Sequence, residues 1–289
     1  VSYVRSAADL EPARRIIAEA GLHTWVIAKI EHPAALEELD AIVEASDAVM
    51  VARGDLGVEI PLEEVPAAQE RIIGTCLARG KPVIVATQML ESMVDHPRPT
   101  RAEVSDVATA IRQFTSAVML SGETATGAYP IESVSTMVRI TERASSAIDD
   151  LPSPPALAMF RSTRAITGAA VKLAADVDAH RLIVATQHGS AARLMAAHRP
   201  RQPILAITNR MRALRRTTIL PGVDGHLVEE QARSRDTVGA AVKAMVEAGR
   251  MQPGEKIVTV TGSPNAIRGR TSTIRLVGVD EKGHLQMLE

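Results

Sequence analysis

Short apolar runs alternate with longer amphipathic stretches along the first half of the chain. The runs are Trp25–Ile30, Ala48–Ala52, Pro82–Ala86 and Ala117–Leu120, each of strand length. Between them lie stretches with helical spacing of apolar positions. Ala34–Ala45 places Leu36, Leu39, Ile42 and Val43 on one face, and Leu62–Arg79 does the same with Val65, Ile72, Ile73 and Leu77 before Gly80. Thr100-Arg101-Ala102-Glu103 has capping-box spacing and predicts a helix to about Arg112; another is expected over Ile131–Ile148. Each strand run ends on a polar cluster: Lys29-Ile30-Glu31, Arg53-Gly54-Asp55, Thr87-Gln88 and Ser121-Gly122-Glu123. Measured from Lys29, Asp55, Thr87 and Ser121, successive clusters stand 26, 32 and 34 residues apart. That is about one strand plus one returning helix, so all four are expected at the same end of consecutive parallel strands. In a β/α barrel that end carries the chemistry.

Asp149-Asp150-Leu151-Pro152-Ser153-Pro154-Pro155 reads as a stiff, non-helical connector. Beyond it shorter units resume, with helices at Thr163–Ala174, Ser190–His198, Met211–Thr217 and Ser234–Ala248. Strands are expected at Arg181–Thr186, Pro203–Thr208, Gly225–Glu229 and Lys256–Thr261. A last strand, Thr273–Val279, follows a loop too short for a helical crossover and is expected to pair antiparallel. The predicted fold class is α/β: a partial TIM (β/α)8 barrel over 1–150, a linker over 151–160, and a smaller three-layer α/β domain over 161–289. Val1-Ser2-Tyr3-Val4 reads as the tail of a strand.

Composition narrows the function classes. With hydrophobic residues at 46% and aromatics at 2%, the core must be built from Ala, Val, Ile, Leu and Met. A formal net charge of −1 gives no reason to expect nucleic acid or an anionic membrane as a partner. Cys76 is the only cysteine, which fits a reducing compartment and an expected cytoplasmic location. No apolar stretch approaches the roughly 20 residues of a membrane span.

The clusters carry candidate chemistry. Lys29 and Glu31 are two apart on a strand and face one side, where they could hold a divalent metal and an anionic substrate; an internal ion pair is the plainer alternative. Asp55 would be a second hard oxygen ligand, suited to Mg²⁺ or Mn²⁺, and a short helical turn there would offer N–H groups to a carboxylate or phosphate. A tight turn carrying a solvated Asp is the simpler account of Gly-Asp alone. Thr87 and Ser121 supply hydroxyls, or else cap the helices that follow. No histidine lies in these clusters, which disfavours a Ser-His-Asp hydrolase, and no Walker-type or GxGxxG loop is present.

At this point the sequence resembles the pyruvate kinase family. The resemblance is carried by Ile27–Glu31, Met50–Pro61, Lys81–Met93, Pro97–Glu103 and Met119–Thr124, with Thr87-Gln88-Met89-Leu90-Glu91-Ser92 the most specific, and it extends over essentially the whole chain. It implies phosphoryl transfer from phosphoenolpyruvate to ADP, giving pyruvate and ATP. It further implies Glu31 and Asp55 as metal ligands and Lys29 as the group that neutralises the moving phosphoryl. Arg53, Gly54, Asp55 and Thr87 then stand at the substrate, with Thr87 and Ser121 in catalysis and Ser121 on the route that protonates the enolate. Arg53 and Glu123 are also expected to support the site from behind. The resemblance implies an effector site at Thr186, His188, Gly189 and Ser190, where Ala191 replaces a hydroxyl common in the family. A second effector loop is expected over Thr261–Pro264 and Gly269–Thr273, with Arg268 and Arg270. Tetrameric assembly is implied as well.

The family's barrel begins about half a barrel earlier. The potassium ligands, an active-site arginine and the inserted lid domain have no counterpart in this sequence, so a fragment of a larger protein is expected. Val104, Thr109 and Arg112–Ser116 depart from the family pattern. Two other readings stand beside this one: another metal-dependent phosphoenolpyruvate or pyruvate barrel enzyme, such as an aldolase or mutase, and a catalytically inactive binding or regulatory module.

Overall fold

The computed structural model describes residues 1–148, 161–229, 234–262 and 271–288, and divides into two units, Val1–Pro155 and Ala156–Glu289. The predicted linker at 151–160 lies outside the described residues.

In the first unit the element order is α1 (Glu11–Glu19), β1 (Ile27–Ile30), α2 (Pro33–Glu37), α3 (Leu39–Ala45), β2 (Ala48–Ala52) and α4 (Arg53–Glu59). It continues with α5 (Val65–Ala78), β3 (Val83–Ala86), α6 (Arg101–Arg112), β4 (Ala117–Met119), α7 (Gly122–Ala125) and α8 (Pro130–Ser146). The strands form one sheet in the order β1-β2-β3-β4, every pair parallel. The described residues therefore supply four of the eight strands of a closed (β/α)8 ring. The β-branched and small residues of the strands pack with the apolar faces of the helices; Ile30, Val49, Val51, Val83 and Val85 are buried with Leu39, Ile42, Ile72, Ile73 and Val107. Val1 extends the sheet beyond β1: its N–H reaches the Ile27 carbonyl at 2.8 Å, and the Lys29 N–H reaches the Val1 carbonyl at 3.0 Å.

Several predicted boundaries move. The helix expected over Ala34–Ala45 is two, α2 and α3, broken at Glu38 (φ −96°, ψ 16°). The stretch Leu62–Arg79 opens with a 3₁₀ turn, Leu62–Glu64, and turns α-helical at Val65, where Pro66 occupies the first turn at no hydrogen-bond cost. Helix α1 was not expected. It is short, buries none of its own residues and has only Ile16 and Ile17 as large apolar positions, although Pro12 marks its first turn. The Thr100–Glu103 capping box is present as predicted.

The second unit contains α9 (Arg161–Asp176), β5 (Arg181–Ala185), α10 (Ser190–Ala197), β6 (Ile204–Thr208), α11 (Met211–Thr217), β7 (Val223–Leu227), α12 (Ser234–Glu247), β8 (Lys256–Gly262), β9 (Thr271–Val279) and β10 (Leu285–Met287). Its sheet has the order β10-β9-β8-β5-β6-β7. Strands β5 to β8 are parallel, and β9 pairs antiparallel with β8, as the short connection requires. Alternation along β5 explains the layers. Leu182 and Val184 pack with Ala170, Ala174, Ala192 and Met195 of α9 and α10, while Ile183 packs with Val238, Ala241, Val242 and Met245 of α12. One sheet between two helical layers is the expected three-layer arrangement. The strand expected at Gly225–Glu229 begins two residues earlier, at Val223, paired with Ile204.

Candidate active site

Because β1 to β4 are parallel and in register, with Ile30 beside Val51, Ala52 beside Ala86 and Ala86 beside Met119, the residues that follow them share one edge of the sheet. The four polar clusters are thus brought together, as their spacing predicts.

At the first cluster, Lys29 Nζ lies 2.5 Å from Glu31 Oε1, and Glu31 is 1% exposed. Glu31 also accepts the Tyr3 N–H. The Asp55 carboxyl, presented by the first turn of α4, stands beside Glu31, close enough for each to shift the other's protonation. Burial pushes the Glu31 carboxyl up, but Lys29, Tyr3 and Asp55 outweigh it and hold the group below its ordinary value. Asp55 moves the other way: burial, and then the Glu31 carboxylate beside it, push it up, and Lys29 only partly opposes them. Two carboxylates side by side with a single ammonium make a hard-oxygen pair short of positive charge. That fits a divalent cation whose remaining ligands come from water and substrate. No group of three or more His, Cys, Asp or Glu placed to hold a metal occurs among the described residues.

The second and third clusters are locked to each other. Thr87 and Gln88 sit in the left-handed region, with φ of 67° and 52°, an unfavourable conformation for any residue with a Cβ and more so for a β-branched one. The Thr87 hydroxyl donates to the Ala86 carbonyl at 2.5 Å and accepts the Gly54 N–H at 2.8 Å. Thr87 therefore does not cap a following helix. Arg53, 8% exposed, holds this turn from the other side. Its Nη2 donates to the Thr87 and Gln88 carbonyls at 2.8 and 2.9 Å, and its Nη1 pairs with Asp106 Oδ2 at 2.5 Å. Arg53 was expected both at the substrate and behind the site; its hydrogen bonds go to the turn and to Asp106. The supporting role expected for the same residue fits the geometry.

At the fourth cluster, Glu123 is 1% exposed and accepts the Leu90 N–H at 3.0 Å and the Ser121 N–H at 2.7 Å, tying the third and fourth clusters together. The Ser121 side chain does not cap α7 and makes no hydrogen bond among the described residues. Sequence reasoning missed Asp106 and Tyr3. Asp106 lies on α6, 53 positions from the arginine it anchors, and no local pattern links them.

In the second unit, the Thr186 hydroxyl accepts the Gly189 N–H at 3.0 Å, and Gly189 takes φ +85° just before α10. Gly189 is needed there, because that φ is open to glycine and strained for other residues. His188 is exposed and Ser190 opens the helix. Residues 263–270 of the second expected effector loop, with Arg268 and Arg270, lie outside the described residues.

Comparison with known proteins matches two family models: pyruvate kinase, barrel domain, over residues 1–134, and pyruvate kinase, alpha/beta domain, over residues 164–277. The chain belongs to the pyruvate kinase family. Pyruvate kinase of Clostridium acetobutylicum is 39% identical over 283 residues, covering 96% of this chain and 60% of that protein. Pyruvate kinase of Geobacillus stearothermophilus is 41% identical over 279 residues, covering 95% of this chain and 48% of the relative. The crystal structure of a pyruvate kinase from Cryptosporidium parvum superposes with a TM-score of 0.85 at 36% identity, covering 96% of this chain and 57% of that one. The chain thus spans 46–60% of the length of curated pyruvate kinases it matches. Among the described residues no helix is long and apolar enough to cross a membrane.

Proposed function

We propose that the first unit carries part of the active centre for phosphoryl transfer from phosphoenolpyruvate to ADP. The observation that carries this is the Lys29–Glu31–Asp55 cluster, an ammonium paired with one carboxylate and a second carboxyl beside it at the shared strand edge. Glu31 and Asp55 would hold Mg²⁺ or Mn²⁺, which when bound supplies positive charge to substrate and phosphoryl oxygens. Lys29, already turned toward that edge by its pairing with Glu31, lends its ammonium to the charge on the transferring group. The N–H groups at the start of α4 and the Thr87 hydroxyl hold the carboxylate and enolate oxygens. For this the Gly54 N–H must leave Thr87 Oγ1, and the Thr87 proton must turn from the Ala86 carbonyl to substrate. Arg53 positions that turn. The unpaired hydroxyl of Ser121 is available to the route that protonates the enolate.

Family membership supports the wider proposals of a homo-oligomer, of a phosphorylated effector at Thr186–Ser190, and of a cytoplasmic enzyme. A potassium requirement rests on the resemblance alone.

The reading is tested by coupling pyruvate formation to a dehydrogenase. The assay is run on this chain and on a version extended N-terminally with the matching barrel segment of a pyruvate kinase relative. The extended chain is expected to turn over with Mg²⁺, and Lys29→Met to lower its kcat by about 10²–10³-fold, the usual loss of one transition-state charge partner. Full activity in the Lys29→Met variant, or none in the extended parent, overturns the assignment. Glu31→Gln is expected to abolish Mn²⁺ binding by the chain as it stands, read by electron paramagnetic resonance.

A further inference from the structure

Tyr3 has a backbone conformation that its residue type does not favour. Its φ is 51°, in the left-handed region that is unfavourable for any residue with a Cβ, and its side chain stays half exposed. Both flanks of the residue are fixed. On one side the Val1 N–H reaches the Ile27 carbonyl and the Lys29 N–H reaches the Val1 carbonyl, so the segment runs along β1. On the other side Val4 is fully buried, and the Arg5 and Ser6 N–H groups both donate to Asp9 Oδ2 at 2.8 Å. A residue strained in this way persists only where its surroundings over-determine it, and such residues gather at functional sites.

What the turn delivers is one N–H. Tyr3 donates it to Glu31 Oε2, while Lys29 Nζ lies 2.5 Å from Oε1. The Ser2 hydroxyl lies 3.4 Å from Lys29 Nζ, so these two neighbours touch both members of the ion pair. A carboxylate turns easily about its last torsion, and a single partner on Oε1 would leave that rotation loose. Donors on both oxygens fix the carboxylate plane. Each oxygen accepts in two directions, so one direction on each remains for another partner. The Tyr3 donor is a neutral amide. It holds the plane without a second full positive charge, which would repel a cation approaching the same oxygens.

We propose that Tyr3 is a positioning residue for the metal site: its N–H, aimed by the left-handed turn, sets the plane in which Glu31 turns its remaining lone pairs toward a divalent cation shared with Asp55. This role rests on Glu31 and Asp55 being the metal ligands. Hydrogen bonds behind a ligating side chain contribute about 10–100-fold to metal affinity, and the same range is expected of the Tyr3 N–H.

The test removes the N–H and keeps the side chain. In the full chain, 4-hydroxyphenyllactate in place of Tyr3 turns the Ser2–Tyr3 amide into an ester, while Tyr3→Gly keeps the N–H and takes φ of 51° without strain. Mn²⁺ is titrated by electron paramagnetic resonance, with Trp25 fluorescence confirming that each variant is folded. The parent is expected to bind Mn²⁺ and Glu31→Gln to lose it. The ester is expected to bind about 10–100-fold more weakly and with an altered bound-Mn²⁺ spectrum, and Tyr3→Gly to stay within about threefold of the parent with its spectrum unchanged. A purely structural role would lower the urea midpoint of the ester and leave the affinity and spectrum of its folded form as they were. That result overturns the proposal while the metal ligands stand, as does a Tyr3→Gly variant as weak as the ester. A parent that binds no Mn²⁺, or binding that survives Glu31→Gln, overturns the ligand assignment itself and the role of Tyr3 with it.

Discussion

Replacing Arg53 with Leu tests whether the buried guanidinium is what holds Thr87 and Gln88 in the left-handed region. Leucine keeps an apolar body in place of the stem but removes the bonds to the Thr87 and Gln88 carbonyls and the pair with Asp106. A hydrogen bond from a charged donor is worth about 1.5–3 kcal/mol, so the two carbonyls alone represent roughly 3–6 kcal/mol. Asp106 is 35% exposed and regains water, so its lost partner adds little. Against this, a freed turn relaxes out of a conformation that costs about 1–2 kcal/mol per residue. With both Thr87 and Gln88 relaxing, the net destabilisation is about 1–2 kcal/mol, which at a urea slope of about 1–3 kcal/mol/M moves the midpoint down by roughly 0.5–1 M. Trp25 is the only tryptophan and lies in the first unit, so its fluorescence follows that unit alone. Gln88→Gly sharpens the test, since glycine takes φ of 52° without strain. It should stabilise the parent by a few tenths to 1 kcal/mol, and do nothing in the Arg53→Leu background where the turn has already relaxed. An unchanged midpoint in Arg53→Leu, or an equal gain from Gln88→Gly in both backgrounds, refutes the clamp.

Three further outcomes are expected. Asp55 has its folded pKa above the ordinary 3.8, so its proton contributes stability that is fully present below 3.8 and lost as pH rises through the raised value. Asp55→Asn should therefore raise the urea midpoint at pH 7 and lose that advantage at pH 3, while abolishing Mn²⁺ binding; a midpoint lowered at pH 7 would contradict the like-charge account. Glu103 accepts from the Ser92 N–H and hydroxyl and from the Thr100 N–H and hydroxyl, and is held below its ordinary 4.5 despite burial. Glu103→Ala should cost about 1–3 kcal/mol at pH 7 by urea titration, and the difference should shrink as pH falls through the lowered value, because the parent's own contribution is lost there. Cys76 is fully buried and its thiol is pushed up to about 12, so it should resist an aromatic disulfide reagent in the native protein at pH 8 and react only as the first unit unfolds. Rapid native labelling would show that α5 opens locally.

What could be read from the chain follows the range of each interaction. Strand runs, capping box and cluster spacing are local signals, and they placed the four polar groups on one edge because parallel strands joined by helices leave no other choice. Lys29 and Glu31 were legible for the same reason, since the two-residue period puts them on one face. The conformation of Thr87 and Gln88 was not legible, because neither residue type favours a positive φ and the groups bonded to the turn, Arg53 and Gly54, lie more than thirty positions earlier. Asp106 was hidden likewise: an acidic residue on an amphipathic helix reads as solvated until its partner is brought to it. A sequence announces the groups that do chemistry by their local grouping, while the groups that fix their geometry act across the sheet and carry no local mark. The Gly54–Thr87 bond makes the consequence concrete. The same N–H and hydroxyl that read as substrate donors are already satisfied in the free protein, the N–H by Thr87 Oγ1 and the hydroxyl proton by the Ala86 carbonyl, so substrate binding here would exchange one set of hydrogen bonds for another rather than fill vacant donors. Selectivity at that point then depends on how well a ligand's oxygens replace Thr87 Oγ1 and the Ala86 carbonyl, which a carboxylate with its negative charge does better than a neutral amide.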